Sequence, residues 1–415
     1  MGNEASQNVK YGERLDNDIN VNWSKLEVQN KYCAPRDGHA AASIARKMYV
    51  FGGVVSRADG EHTESNELFS LDLDNNTWTC VETKGDLPPP RSSAAMSAVE
   101  NNLYLFGGLN QTSGWLDDLH CFDTETCTWS KVEGKGQCPS PRDKLASAVV
   151  GKNVYFFGGF GPKNEEEEVE EVSTEEEDAL EDEGMEADSQ EAAQFGWFND
   201  LFIFDTETSS WSHPMQMNAV GPTPRAATGM CAVKNKLVIF GGRDSQARRN
   251  DLYIYNIETR KWETVSVKGC QPEPRSFHTV TAVGARVVVI GGRSQSNQHY
   301  DDLNIFDTAT MEWMQPTVQG ELPSGRGVHT SVVVDDQLVL FGGSSDFNPE
   351  TMQCQKYHNE VYTTRTVDIL QGGSIANTEA NQENFPISTN IPVQENTDIQ
   401  KSVSGIVPSS QNEVN

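Results

Sequence analysis

An all-β ring of six repeated sheets is the fold that the sequence predicts, and three observations predict it. Diglycines that each end an apolar run begin at Gly52, Gly107, Gly158, Gly241, Gly291 and Gly342, at intervals of 55, 51, 83, 50 and 51 residues. An arginine in a proline-containing turn precedes each of them, at Arg36, Arg91, Arg142, Arg225, Arg275 and Arg326. The first five are followed by a tryptophan, at Trp78, Trp129, Trp211, Trp262 and Trp313. Short apolar runs repeated at a period near 50 and parted by turn residues describe units that are each one small sheet.

Each repeat reads as four antiparallel strands. The first follows the arginine turn, and the second is the run before the diglycine, such as "KMYVFGG" or "KLVIFGG". The third is a segment such as "DLFIFDTET", and the fourth carries the tryptophan. This is the pattern of a propeller blade. The glycines supply positive φ or close backbone approach. The tryptophans are expected between blades, and the repeated arginines, with His39, His278 and His329, are expected to hold turns and neighbouring strands.

The ring closes on its own ends. After Gly343 the sixth repeat offers a third strand in "NEVYTTRTVDI" and no tryptophan, while Trp23 in "NWSKLEV" precedes the first repeat without a blade of its own. The amino-terminal strand is expected to complete the last blade and cover its edge. The expected organisation is a flexible segment 1–19, a propeller over 20–371 and a disordered polar tail over 372–415.

Two charge features depart from the repeat. The net charge is -29, which disfavours a nucleic-acid surface because phosphate neutralisation needs a dense Lys/Arg face. The long interval holds an acidic insert at 164–191 with 16 Asp or Glu and no Lys or Arg, expected to be a solvated loop in blade three. Ser173 and Thr174, set among these acids, read as phosphorylation sites. Because the insert leaves blade three on the face that carries Arg243, Arg248 and Arg249 of blade four, it is expected to screen those arginines in a salt-sensitive way.

No hydrophobic signal core precedes the repeats, so the cytosol or nucleus is expected. The eight scattered cysteines read as buried small hydrophobes in a reducing compartment. "MGNEAS" fits the pattern for myristoylation of Gly2, the one route to a membrane that the sequence offers.

In antiparallel blades the loop after each diglycine lies beside the arginine turn. Arg243 and Arg248 are thereby placed near the mouth of the central channel, where a guanidinium fork suits a carboxylate. The alternative at this stage is that they are solvated or paired with acids such as Asp244 and Asp251.

The repeat resembles the kelch repeat over roughly residues 20–370, and this resemblance implies a six-bladed β-propeller. Five stretches, "PRDKL", "GWFNDL", "PRAA", "GGRDSQARRNDL" and "RSFHT", are similar to those of kelch domain-containing proteins one and two. Members of that group are substrate receptors of cullin-RING ubiquitin ligases, one of which reads an extreme C-terminal diglycine. The resemblance implies that Arg243 and Arg248 clamp a terminal carboxylate, that Ser276 and Lys144 add hydrogen bonds, and that Trp197 and Phe277 wall the channel. The chain departs from the group at "GGFGP", which lacks the phenols of "GGYGY", and at Phe277, which replaces an indole. It also shows no leucine and cysteine motif for an elongin adaptor after Ile369.

Neither a nucleophile motif nor a metal-ligand spacing is present. No catalytic residue, metal site or cofactor is expected. The expected function is a protein-interaction module that binds the C-terminal tails of partners, with a general kelch scaffold for trafficking or cytoskeletal complexes as the alternative.

Overall fold

A computed structural model describes residues 19–30, 33–57, 61–163, 194–214, 220–263 and 265–371. Gly2, the acidic insert with Ser173 and Thr174, and the polar tail lie outside these residues.

Six main sheets arise from the six repeats. The first, over Ala40–Ile44, Lys47–Phe51, Leu68–Asp72 and Thr77–Cys80, pairs antiparallel throughout. The same order recurs from Ala95, Ala146, Gly229, Thr279 and Thr330. The first strand of every sheet packs beside the first strands of its two neighbours, and that of the sixth meets that of the first. The result is a closed β-propeller.

Closure by the amino terminus is visible in the pairing. Asn20–Lys25 lies antiparallel to Val361–Arg365 of the sixth sheet, with Ser24 opposite Thr363. A short strand that the repeat pattern did not foretell, Thr317–Gly320, adds outside it in parallel, with Val21 opposite Val318. Similar parallel additions, Lys84–Gly85 and Lys268–Gly269, edge the second and fifth sheets.

The core sits between blades. Six apolar clusters occupy the six interfaces, each with one outer-strand tryptophan. The residue before the diglycine meets the tryptophan of the next blade, as in Phe51–Trp129 at 5.3 Å and Phe240–Trp313 at 5.0 Å between ring centroids. Trp23 fills the same place between blades five and six, with Ile290 and Leu340.

The arginines and glycines lock each blade to the next. Nη1 of every repeated arginine donates to the carbonyl of the first glycine sixteen residues on, at 2.9–3.3 Å. The second glycine's N–H donates to the next blade's arginine carbonyl, and Gly343 completes the circuit to Arg36. At Gly291 a Cβ would lie 2.8 Å from the Arg326 carbonyl oxygen, and at Gly292, with φ of 97°, 2.9 Å from that of Ser276. Side chains cannot enter such contacts, so the pair of glycines is required.

Two expectations need correction. The third strand of the sixth sheet ends at Arg365, and "TVDIL" continues as a short helix, Thr366–Leu370, which buries Ile369 in the apolar cluster around Trp23. All eight cysteines are free, yet only Cys33 and Cys231 are buried, and Cys80 and Cys138 are exposed because they fall on outer strands or turns.

Candidate functional site

The arginine turns converge on the channel. The second residue after each repeated arginine, or Gly38 in blade one, has a positive φ: 60° at Gly38, 55° at Ser93 and Lys144, 52° at Ala227, 62° at Phe277 and 58° at Val328. Their backbones form a hoop. Each N–H donates to the carbonyl of its equivalent in the preceding blade, from Ser93 to Gly38 at 2.7 Å round to Gly38 itself, which donates to Val328 at 3.2 Å. A β-branched residue such as Val328 rarely accepts this conformation, so the hoop over-determines it. The hoop rims a narrow cavity of about 110 Å³ that His39, His278 and His329 also line. Burial lowers the pKa of His39 and of His278 to about 3, so both rings are neutral.

On the face above the hoop, the residue after each arginine bridges to the residue after the diglycine, including Ala226 to Arg243 and Ser276 to Arg293. Arg243 stands opposite Arg248 across the Lys236–Arg243 and Arg248–Asn256 hairpin. The Arg248 side chain is buried. Its Nε donates to Ser276 Oγ at 2.9 Å, its Nη2 donates to Asn297 Oδ1 at 3.0 Å, and its backbone N–H donates to Gln295 Oε1 at 3.0 Å. Ser276, fully buried, thus joins Arg248 through its hydroxyl and Arg293 through its backbone.

The charges of these arginines are not balanced locally. Among the described residues no carboxylate forms an ion pair with Arg243, Arg248 or Arg293, whereas every repeated arginine has one, such as Arg275 with Asp302 at 2.6 Å. Arg249 differs from its neighbours, since Asp244 takes it at 2.5 Å, and Asp251 is held by Arg225. Burial, then the positive charges of Arg293 and Arg243, push the Arg248 pKa down to about 10. Burial and Arg243 lower that of Arg293 as well. Three guanidinium groups that repel one another in a partly desolvated mouth favour an anion.

The structure therefore brings together Arg243, Arg248, Ser276 and, through Arg293, Phe277, whose ring lies 5.0 Å from the Arg293 guanidinium. Lys144 sits on the hoop, but its Nζ is paired with the buried carboxylate of Asp143. Trp197 packs edge-on to Phe160 at 5.1 Å, and Trp115 extends this aromatic wall at 6.0 Å from Phe160. The two strands that flank residues 164–193 in sequence carry this wall, with Phe160 opposite Trp197 and Pro162 opposite Phe195. Arg293, Asn297 and Phe347 were missed from sequence. A signal existed for Arg293, because "GGR" occurs twice and places it in blade five where Arg243 stands in blade four.

A closed ring of repeated sheets, with arginines at its mouth that have no carboxylate partner among the described residues, is a β-propeller. The KLHDC2/KLHL20/DRC7 Kelch-repeats domain matches residues 13–176 and 187–368, and the chain belongs to this kelch-repeat family. It is 34% identical over 322 residues to mouse kelch domain-containing protein 1, covering 75% of this chain and 76% of that protein. It is 30% identical to human kelch domain-containing protein 2, over 75% of this chain and 77% of the relative. A plant relative, acyl-CoA-binding domain-containing protein 4 of Arabidopsis thaliana, is 27% identical over 70% of this chain and 41% of its own length. Kelch-repeat propellers of this family are protein-interaction modules and generally not catalysts.

Proposed function

We propose that the arginine-lined mouth binds the free C-terminal tail of a partner protein. The observation that carries this reading is Arg248: a buried guanidinium hydrogen-bonded to Ser276 and Asn297, close enough to Arg243 and Arg293 for their charges to lower its pKa, and without a carboxylate. Desolvating such a cation is costly, and an α-carboxylate entering in the guanidinium plane offsets that cost through charge-assisted bonds of about 1.5–3 kcal/mol each. An internal peptide segment has no such group. The hoop and the Phe160–Trp197 wall suit a slender chain end entering the channel.

The finer part of the proposal, drawn from the kelch receptor resemblance, is that the bound tail marks the partner for ubiquitination by a cullin-RING ligase through an elongin adaptor. Co-purification of elongin and cullin with the full chain tests that attachment. Binding of tail peptides without such co-purification would leave a tail reader that acts outside the ligase. If neither occurs, the reading of a general scaffold replaces both.

A further inference from the structure

Arg293 is built into the mouth differently from Arg243 and Arg248. Its guanidinium lies over two aromatic rings, 5.0 Å from the Phe277 centroid and 4.1 Å from that of Phe347. Its backbone is fixed by two hydrogen bonds with Ser276, at 3.1 and 2.7 Å. Its Nε is buried and has no hydrogen-bond partner among the described residues. A guanidinium stacked on aromatic rings keeps its edge for hydrogen bonds in its plane, which is how a carboxylate meets arginine. Beyond Asn297 and Phe347 a cavity of about 530 Å³ opens, lined also by His299, Ser345, Asp346 and Lys356.

Charge arithmetic separates this residue from the terminal-carboxylate site. A tail ending in neutral residues brings one negative charge to three guanidinium groups. Arg248 and Ser276 are joined by a hydrogen bond of 2.9 Å, and Arg293 is reached from them only through the Ser276 backbone. Arg243 is exposed to solvent, and Arg293 would then keep no ion-pair partner among the described residues, with Asp346 on the adjoining cavity. A second carboxylate on the ligand, a few residues before its end, would supply that partner.

We infer that Arg293, stacked on Phe277 and Phe347, is a second anion-binding subsite that takes an aspartate or glutamate side chain of the bound tail. The ligand class is thus a C-terminal tail with an acidic residue just before its free end. This inference rests on the tail-binding reading given above and adds its specificity.

The test uses the full chain and fluorescence anisotropy with labelled peptides that end in two glycines. Glutamate or glutamine is placed at the third, fourth or fifth position from the end, and every peptide is made with a free and an amidated terminus. At one of these positions the glutamate peptide binds about tenfold more tightly than its glutamine twin, the gain of one charge-assisted contact. In R293Q that ratio falls to about one, and in R293K, which keeps the charge but not the fork, it is intermediate. If glutamate and glutamine peptides bind alike at all three positions while amidation still abolishes binding, the acidic subsite is refuted and the tail reading stands. If no free-acid peptide outbinds its amide, both fall together. The glutamate-to-glutamine ratio of the unmodified chain decides the matter even where R293Q folds poorly.

Discussion

Replacing Trp23 by alanine tests whether the amino-terminal strand is a structural member of the ring. The indole is 2% exposed and packs among Val283, Val288 and Ile290 of blade five and Leu338, Leu340 and Tyr362 of blade six. Truncation removes about 150 Å² of buried apolar surface, which at about 25 cal/mol/Å² is about 4 kcal/mol, within the range for large aromatic-to-alanine changes. With an unfolding entropy of about 2.1 cal/mol/K per residue over roughly 350 ordered residues, this lowers Tm by about 5 °C. Trp129→Ala, at the equivalent place between blades one and two, should cost a similar amount. Deleting residues 1–25 should cost more, because it also uncovers the edge of Val361–Arg365. Urea and thermal unfolding followed by tryptophan fluorescence and circular dichroism provide the comparison. A Trp23→Ala variant within about 0.5 kcal/mol of the unmodified chain, the range of ordinary surface substitutions, would refute closure by this strand.

Two other perturbations probe the interior. Arg275 is fully buried and bonded to Gly291 O, Glu273 O and both oxygens of Asp302, so Arg275→Ala should destabilise by about 3–5 kcal/mol in urea titration, and a loss below 1 kcal/mol would contradict the locking role. Burial depresses the pKa of His39 and of His278 to about 3 and that of His329 well below its usual value. These rings stay neutral in the fold while the unfolded chain takes up protons below about pH 6.5. The stability they contribute is present above that pH and is lost as pH falls, by about 3 kcal/mol for the three between pH 6.5 and 5.5. Asp37 and Asp143 work in reverse, since burial raises both pKa values, that of Asp37 to about 6, and their contributions fade as pH rises; His120 and His299, also lowered by burial, act with the three. Urea midpoints that are flat from pH 7 to 5.5 would contradict this.

The ring was legible because six copies of one pattern repeat, and period-two strands with diglycines and tryptophans leave few alternatives. The parallel additions, such as Lys84–Gly85 beside Thr128 and Trp129, were not legible, since two residues carry no periodicity and the pairing depends on where the preceding blade delivers the chain. "TVDIL" read as strand, and its helical turn goes with a tertiary contact that sequence does not show, the burial of Ile369 in one apolar cluster with Trp23, Val283 and Leu338. At the site, position after the diglycine marked Arg243, but nothing in sequence separates Arg248, which bonds Ser276 and Asn297 and has no carboxylate partner among the described residues, from Arg249, which bonds Asp244. That difference is set by which side of the strand each occupies. The Asp143–Lys144 pair was hidden for a similar reason, because adjacent residues meet here only through the positive φ of Lys144.

The most direct test of the account is binding of the full chain to a library of peptides with free C-termini, each matched by its amide, compared with an Arg243→Ala, Arg248→Ala double variant that retains its Tm. Free-acid peptides are expected to bind, amides to bind at least tenfold more weakly, and the double variant to bind neither. Equal binding of acid and amide, or full binding by the double variant, would contradict a carboxylate-reading mouth.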